Sequence, residues 1–295
     1  MAELPNLLDE AMGFAPGSAA PFPRGGVVVL VEDCVETSGA FVLHHFLKRA
    51  LSSGGGGGGA VVFLAFAQPF AHYDRLLRKL VRSLVGSPNL VLRSCWHFLE
   101  RFRKAAILTL LLQGCNLSVQ RKNNKLHFFD LLEYPGLRKG NATNRGFLDL
   151  YREIQRVVEG CSLQEDNKGC VNIMIDDLSF LEIAAHGSMD DVLDFLHYCI
   201  SLTSVMDCSL VILNHEDIYA TEEDHELLTH LRYFSDFLIK VGPLNTGLAA
   251  DVHGQLTIVN KEIFKDHARP MQKVRNFHFK VKENGVETFY PGSRH

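Results

Sequence analysis

Val27-Val28-Val29-Leu30-Val31-Glu32-Asp33-Cys34-Val35-Glu36-Thr37-Ser38-Gly39-Ala40-Phe41 is the stretch whose reading decides the fold. Gly26–Val31 is a continuous apolar run rich in β-branched valine, the pattern of a strand buried on both faces. A polar turn, Glu32–Ser38, follows, and then a helical spacing of Phe41, Val42, His45, Phe46 and Arg49 with Ser38 as N-cap. The same alternation recurs along the chain. Val61–Phe66, Leu126–Leu131, Val171–Ile175, Ser209–Leu213 and Phe237–Val241 read as strands. Phe70–Leu80, Arg145–Val158 and Ser188–Leu202 read as helices. Buried strands alternating with helices predict a mostly parallel α/β sheet with helices on both faces. Gln255–Asn260, Val274–Val281 and Val286–Tyr290 alternate apolar and polar, with a turn at Asn284-Gly285, and predict an antiparallel extension at one edge.

Composition agrees with one such domain. The chain has 295 residues, 46% apolar and 22% charged, with a net charge of −4. That excludes a mainly disordered or collagenous chain and a polycation built throughout for nucleic acid. No Lys or Arg precedes Arg24, so a signal peptide is not expected. The apolar runs fall short of the ~20 residues that span a bilayer. Seven scattered cysteines without a CxxC pair predict free thiols in a reducing compartment and no metal site. A protein of the cytoplasm, or of cytoplasm and nucleus, is expected. Residues 1–24 read as a flexible tail able to dock a short helix at Leu4–Leu8, and residues 25–290 as a single domain.

A strand-turn-helix start and a strand ending in Asp176-Asp177 resemble a nucleotide hydrolase in layout. A phosphate loop needs glycine-rich backbone, a Lys and a Ser or Thr for magnesium. If Gly39 takes the place of the motif's second glycine, Ala40 replaces the Lys and Phe41 the Ser/Thr. Glu32, Asp33 and Glu36 crowd the turn, and like charges at 4 Å repel by about 1 kcal/mol in water and about 4 at an effective dielectric of 20. Lys48, nine residues beyond Gly39, lies about 13 Å further along a helix. The turn Glu36, Ser38, Gly39, Ala40 is therefore read as a degenerate phosphate turn, and Asp176 and Asp177 as residual strand-end carboxylates that more often cap a turn than hold magnesium. His44 and His45 point about 100° apart on a helix and cannot share a metal.

Several stretches together resemble one family: Gly39–Leu47, Ala67-Gln68-Pro69-Phe70-Ala71-His72-Tyr73, Ile175-Asp176-Asp177-Leu178-Ser179, Val192–Cys199 and Thr246–Leu256. They are similar to the Elongator complex protein 6 family, in order over most of residues 26–290. Asn116–Leu132 has the flavour of a plant member. The resemblance implies a RecA-like fold without working nucleotide motifs and without a cofactor. It implies a ring of six with the related fourth and fifth Elongator subunits, one that binds tRNA and supports carboxymethyl-type modification of the wobble uridine. The chemistry would reside in another subunit. The alternative is an active RecA-like nucleoside triphosphatase with an atypical phosphate site; a third reading is a ring scaffold with no RNA contact of its own.

Residues 81–113 depart from the family pattern, which resumes at Gly114. They read as an insertion or a retained in-frame intron. In RecA-like rings the loops after the fourth and fifth strands face the channel. Here these are Ala185-His186-Gly187-Ser188 and an acidic stretch, Asn214–Glu226. Lys261–Lys282 carries seven basic residues against two acidic ones. Phosphate contacts come from cations and backbone donors, so any RNA contact of this chain is expected at Lys265, Arg269 and Lys273.

Overall fold

The computed structural model describes residues 7–14, 25–52, 59–84, 116–131, 133–134, 137, 144–163, 171–185, 188–218, 222–244, 247, 249, 251–261, 273–282 and 285–292. In chain order the elements are α1 (Leu7–Ala11), β1 (Val28–Asp33), α2 (Ala40–Ser52), β2 (Val61–Ala65), α3 (Phe70–Leu84), α4 (Leu117–Lys122), β3 (Leu126–Asp130) and α5 (Asn144–Ser162). There follow β4 (Asn172–Asp176), α6 (Leu178–Ala184), α7 (Met189–Met206), β5 (Ser209–His215), a 3₁₀ turn (Glu216–Ile218), α8 (Glu222–Phe234), β6 (Phe237–Gly242), β7 (Gly254–Asn260), β8 (Lys273–Lys282) and β9 (Gly285–Phe289). The nine strands form one sheet in the order β3-β2-β4-β5-β1-β6-β7-β8-β9. The first six in that order are parallel, and β7, β8 and β9 extend the β6 edge antiparallel.

The period of two along β1 explains why its run is apolar throughout. Val28 and Leu30 enter one core, with Phe147, Leu150 and Ile154 of α5, Phe195 and Cys199 of α7 and Leu227 and Leu231 of α8. Val29 and Val31 enter the other, with Leu43, Phe46 and Leu47 of α2, Tyr73 and Leu77 of α3 and Phe277 and Phe279 of β8. A strand between two helical layers has no solvent face, so each residue contributes about 1.5–3 kcal/mol of burial. In β7, buried Leu256 and Ile258 alternate with half-buried Gln255, Thr257 and Val259, as expected where only one face is covered.

Local signals set several ends. Ser188 caps α7, its Oγ accepting the Asp191 N–H at 3.4 Å, and Asp190 and Asp191 complement the helix dipole. Ser38 Oγ accepts the Ala40 N–H at 3.3 Å at the start of α2. Three helices go beyond the sequence pattern. α6 and α4 are short, and α8 begins inside the stretch that reads as an acidic loop. Part of the expected tail is docked: Leu8, Ala11, Met12 and Phe14 are buried in the core that includes α2. Asp9 bonds His45 at 2.8 Å and Arg49 at 2.9 Å, and Glu10 pairs with Arg275 at 3.2 Å. Most of the glycine run, most of 81–113 and the hairpin residues 283–284 lie outside the described residues. Helix α3 continues to Leu84, and Arg78 donates to Asn116 Oδ1 at 3.1 Å across that segment.

Candidate functional site

The strand ends where an α/β nucleotide enzyme would work are occupied here by ion pairs. Glu32 and Asp33 do not project from the turn as expected. They end β1 and are buried, each 1% exposed. Buried carboxylates require partners, and these come from far along the chain. Arg232 of α8 grips Glu32 through both oxygens, at 2.6 and 3.0 Å. Lys240 of β6 reaches it at 3.0 Å. Glu216 joins the same two cations at 2.9 and 3.2 Å. Arg232 holds its proton more tightly than usual because of its bond to Glu32.

Asp33 has two partners. Its Oδ2 accepts the Gly39 N–H at 2.6 Å and its Oδ1 is bonded by His215 Nδ1. The other ring nitrogen of His215 lies 2.8 Å from Asp177 Oδ2. The hydrogen bonds to Asp177 and then Asp33 push the imidazole up to about 10, against the opposing effect of burial. It is therefore a cation at neutral pH, hydrogen-bonded through Nδ1 to Asp33 and within ion-pair distance of Asp177 through Nε2. Ser179 donates to Asp177 Oδ1 from its N–H at 3.1 Å and its hydroxyl at 2.5 Å. Burial raises Asp176 to about 6, countered by the bond from the Tyr73 hydroxyl. The Asp176–Asp177 peptide is cis.

Four backbone donors of the turn between β1 and α2 are engaged within the protein. Val35 N–H bonds Asp217 Oδ2 at 2.9 Å, Thr37 N–H bonds the Cys34 carbonyl at 2.9 Å, and Gly39 and Ala40 are engaged as described. A phosphate cradle needs such N–H groups converging on an open centre. Glu36 and Ser38 are exposed, and Ala40 begins the helix. Gly39 has a packing role: a Cβ there would meet Asp33 Cβ at 3.1 Å, Val241 at 3.2 Å and Val31 at 3.3 Å. Asp177 is thus brought together with Asp33 through His215, Asp176 is bonded instead by the Tyr73 hydroxyl, and Ser38 and Gly39 sit at the start of α2. Reasoning from local spacing finds the carboxylates but misses His215, Arg232 and Lys240, which follow β1 by about two hundred residues.

The two adjacent histidines diverge. His44 is buried against the Tyr73 ring, 6.0 Å between centroids, and burial lowers it to about 4. His45 turns to Asp9. No set of three or more His, Cys, Asp or Glu among the described residues is arranged to hold a metal ion. No helix among them is long and apolar enough to cross a membrane.

The basic C-terminal segment is less free than its composition implies. Lys265 and Arg269 lie outside the described residues. Lys273 opens β8 and is exposed. Lys280 pairs with Asp251 at 2.6 Å, Lys282 pairs with Glu287, and Arg275 pairs with Glu10. The acidic stretch after β5 is not a loop throughout. Glu216 and Asp217 form the 3₁₀ turn and are bound to cations and to the Val35 N–H, and α8 starts at Glu222.

Comparison with known proteins places this geometry. A KaiC-like protein from Pyrococcus horikoshii aligns over 96% of this chain and 95% of its own, with a TM-score of 0.51 and 11% identity. The flagellar accessory protein FlaH from Methanocaldococcus jannaschii aligns over 97% of both chains, with a TM-score of 0.55 and 13% identity. The fold is RecA-like. By sequence, the Elongator complex protein 6 of Homo sapiens is 27% identical over 269 residues, 90% of this chain and 91% of that one. The Mus musculus protein is 28% identical over the same shares. That of Dictyostelium discoideum is 30% identical over 138 residues, 45% of this chain and 39% of its own. The model of the family described as Elongation complex protein 6 matches residues 8–283, and the chain belongs to that family.

Proposed function

We propose that this chain is a non-catalytic subunit of Elongator. It forms a six-membered RecA-like ring with the related fourth and fifth subunits, and that ring binds tRNA and supports carboxymethyl-type modification of the wobble uridine. In this reading it works in the cytoplasm, or in cytoplasm and nucleus, and needs no cofactor of its own. The observation that carries the reading is the closed strand-end network. Gly39 N–H and the His215 cation occupy Asp33, and Arg232 and Lys240 occupy Glu32. A nucleotide phosphate would have to displace those ion pairs without the motif's Lys.

Two measurements test it. The chain is co-expressed with the fourth and fifth subunits and the assembly is weighed by native mass spectrometry; a mass that accommodates six RecA-like subunits is expected. The purified chain is titrated with ATP and magnesium. Saturable micromolar binding that disappears in Asp176→Ala would favour the nucleoside triphosphatase alternative. In this reading, direct RNA contact by this subunit runs through Lys265, Arg269 and Lys273.

A further inference from the structure

Helices α7 and α8 lie side by side on the layer opposite α2, and their solvent face carries a pattern that the fold does not use. Met189–Met206 contains no Lys or Arg. Asp190 and Asp194 are exposed along it, four residues apart, and Asp207 follows at its end. Tyr198 follows Asp194 by one turn, and further rings are exposed on α8. Tyr233 is 80% exposed and Tyr198 47%. The rings fall in two groups on either flank of α7: toward α8, His197 lies 5.3 Å from Phe234 and Phe234 5.4 Å from Tyr233; toward α5, Tyr198 lies 5.1 Å from Tyr151. Val205 of α7 is 79% exposed as well. Arg232 of α8 is turned inward to Glu32 and Glu216.

Rings exposed at this density mark a contact surface rather than solvent-facing helix, and their charge surroundings select the partner. Bases could stack on the tyrosines, but phosphates there would meet carboxylates at both ends of a helix that offers no Lys or Arg to offset them. An arginine side chain satisfies both components: its guanidinium pairs with a carboxylate through two hydrogen bonds and lies flat on a tyrosine face. We infer that the α7–α8 face docks an arginine-bearing basic surface of a neighbouring protein subunit. The inference rests on the reading of this chain as a subunit of an assembly and adds which face is used and with what chemistry.

The test uses the full chain co-expressed with the fourth and fifth Elongator subunits, then with the rest of the complex. One variant is Asp190→Lys with Asp194→Lys; the other is Tyr198→Ser with Tyr233→Ser. All four positions are exposed, so the Tyr variant should melt as the parent does, and the Lys variant slightly below it because Asp190 lies in the first turn of α7. Each should weaken subunit association by about tenfold or more, the range of a contact centred on rings and charges. The Lys variant should also lose the salt dependence that the parent shows. Association unchanged in both variants, with the parent assembling, overturns the docking face alone. Failure of the parent to assemble at all overturns the functional reading and the face with it. Loss of tRNA affinity with assembly intact would mean that the face meets RNA, and would overturn the inference.

Discussion

Replacing His215 by Ala removes the cation that joins the ends of β1, β4 and β5. Asp33 and Asp177 stay buried at 1% exposure each. Asp33 keeps only the Gly39 N–H, and Asp177 keeps the two donors of Ser179. Removing one partner of a buried pair costs about 3–5 kcal/mol. His215 is 26% exposed, so water screens part of this, and about 2–4 kcal/mol is expected. For a domain of this size about 2–4 °C is lost per kcal/mol, so the melting temperature should fall by roughly 5–15 °C. The pH dependence is the sharper signature. The imidazole is held at about 10 in the folded chain and is near 6.5 when unfolded. Its contribution is complete below pH about 6.5 and is lost as pH rises through about 10. The parent should therefore lose stability across pH 7–10 by up to about 1.4 kcal/mol per unit, and His215→Ala should lack that slope. Lysines and tyrosines titrating near pH 10 are common to both proteins and cancel in the difference. Urea melts followed by circular dichroism at pH 6, 7, 8, 9 and 10 measure it. Parallel pH profiles, or a difference below about 0.5 kcal/mol at pH 7, would refute the ion-pair account.

Asp176→Asn should stabilise the protein at pH 7. The folded carboxyl titrates near 6 against about 3.9 unfolded, so its burial destabilises the fold progressively from pH 4 to 6 and fully above; melts at pH 7 should show a gain of up to about 3 kcal/mol, and none at pH 3.5. Gly39→Val should cost about 1–3 kcal/mol by overpacking against Asp33, Val31 and Val241, read from the same urea melts. Charge reversal of Lys265, Arg269 and Lys273 in the assembled ring should lower the salt slope of tRNA binding by about 0.7–0.9 for each phosphate no longer neutralised; an unchanged slope, with a weakened one after neutralising Glu222–Asp224, would move the RNA-binding surface to the α8 end. Amplifying the transcript across codons 78–116 is expected to give a shorter product lacking codons 81–113, which would leave Arg78 and Asn116, already hydrogen-bonded, five residues apart; a uniform full-length product would make the segment an ordinary insertion.

The sheet is legible in the sequence because its strands announce themselves locally. Val28 to Val31 are apolar on both parities, as a strand between two helical layers demands, and β7 alternates because one of its faces is open. What local pattern does not show is electrostatic pairing at long range. In the sequence Glu32 and Asp33 read as mutually repelling groups in a turn whose next cation is Lys48. Their partners lie much further on: His215 is 182 residues beyond Asp33, and Arg232 and Lys240 are 200 and 208 beyond Glu32. No spacing rule links such positions; only the parallel pairing of β1 with β5 and β6 brings them together. The acidic start of α8 reads as loop because carboxylates there have no periodic signal, although they suit a helix N-terminus. The docked α1 is visible only as an apolar patch, since Asp9 is secured by His45 and Arg49 of another helix.

The position of β1 in the sheet also sets a timetable. It is among the first strands to leave the ribosome, yet it pairs with neither β2 nor β3. Val28 waits for Leu210 on one side and Val29 for Phe237 on the other. At roughly 5–20 residues per second of synthesis, the 182 residues between Val28 and Leu210 take on the order of 10–40 s. For that interval one of the most hydrophobic segments of the chain has no lateral partner. Its α2 side can be shielded early, by a helix that follows directly. Its edges cannot, and six parallel strands with long crossovers fold slowly in any case. A nascent chain of this design therefore depends on whatever holds β1 soluble until β5 arrives, and truncations ending before residue 209 should aggregate where those reaching residue 242 do not.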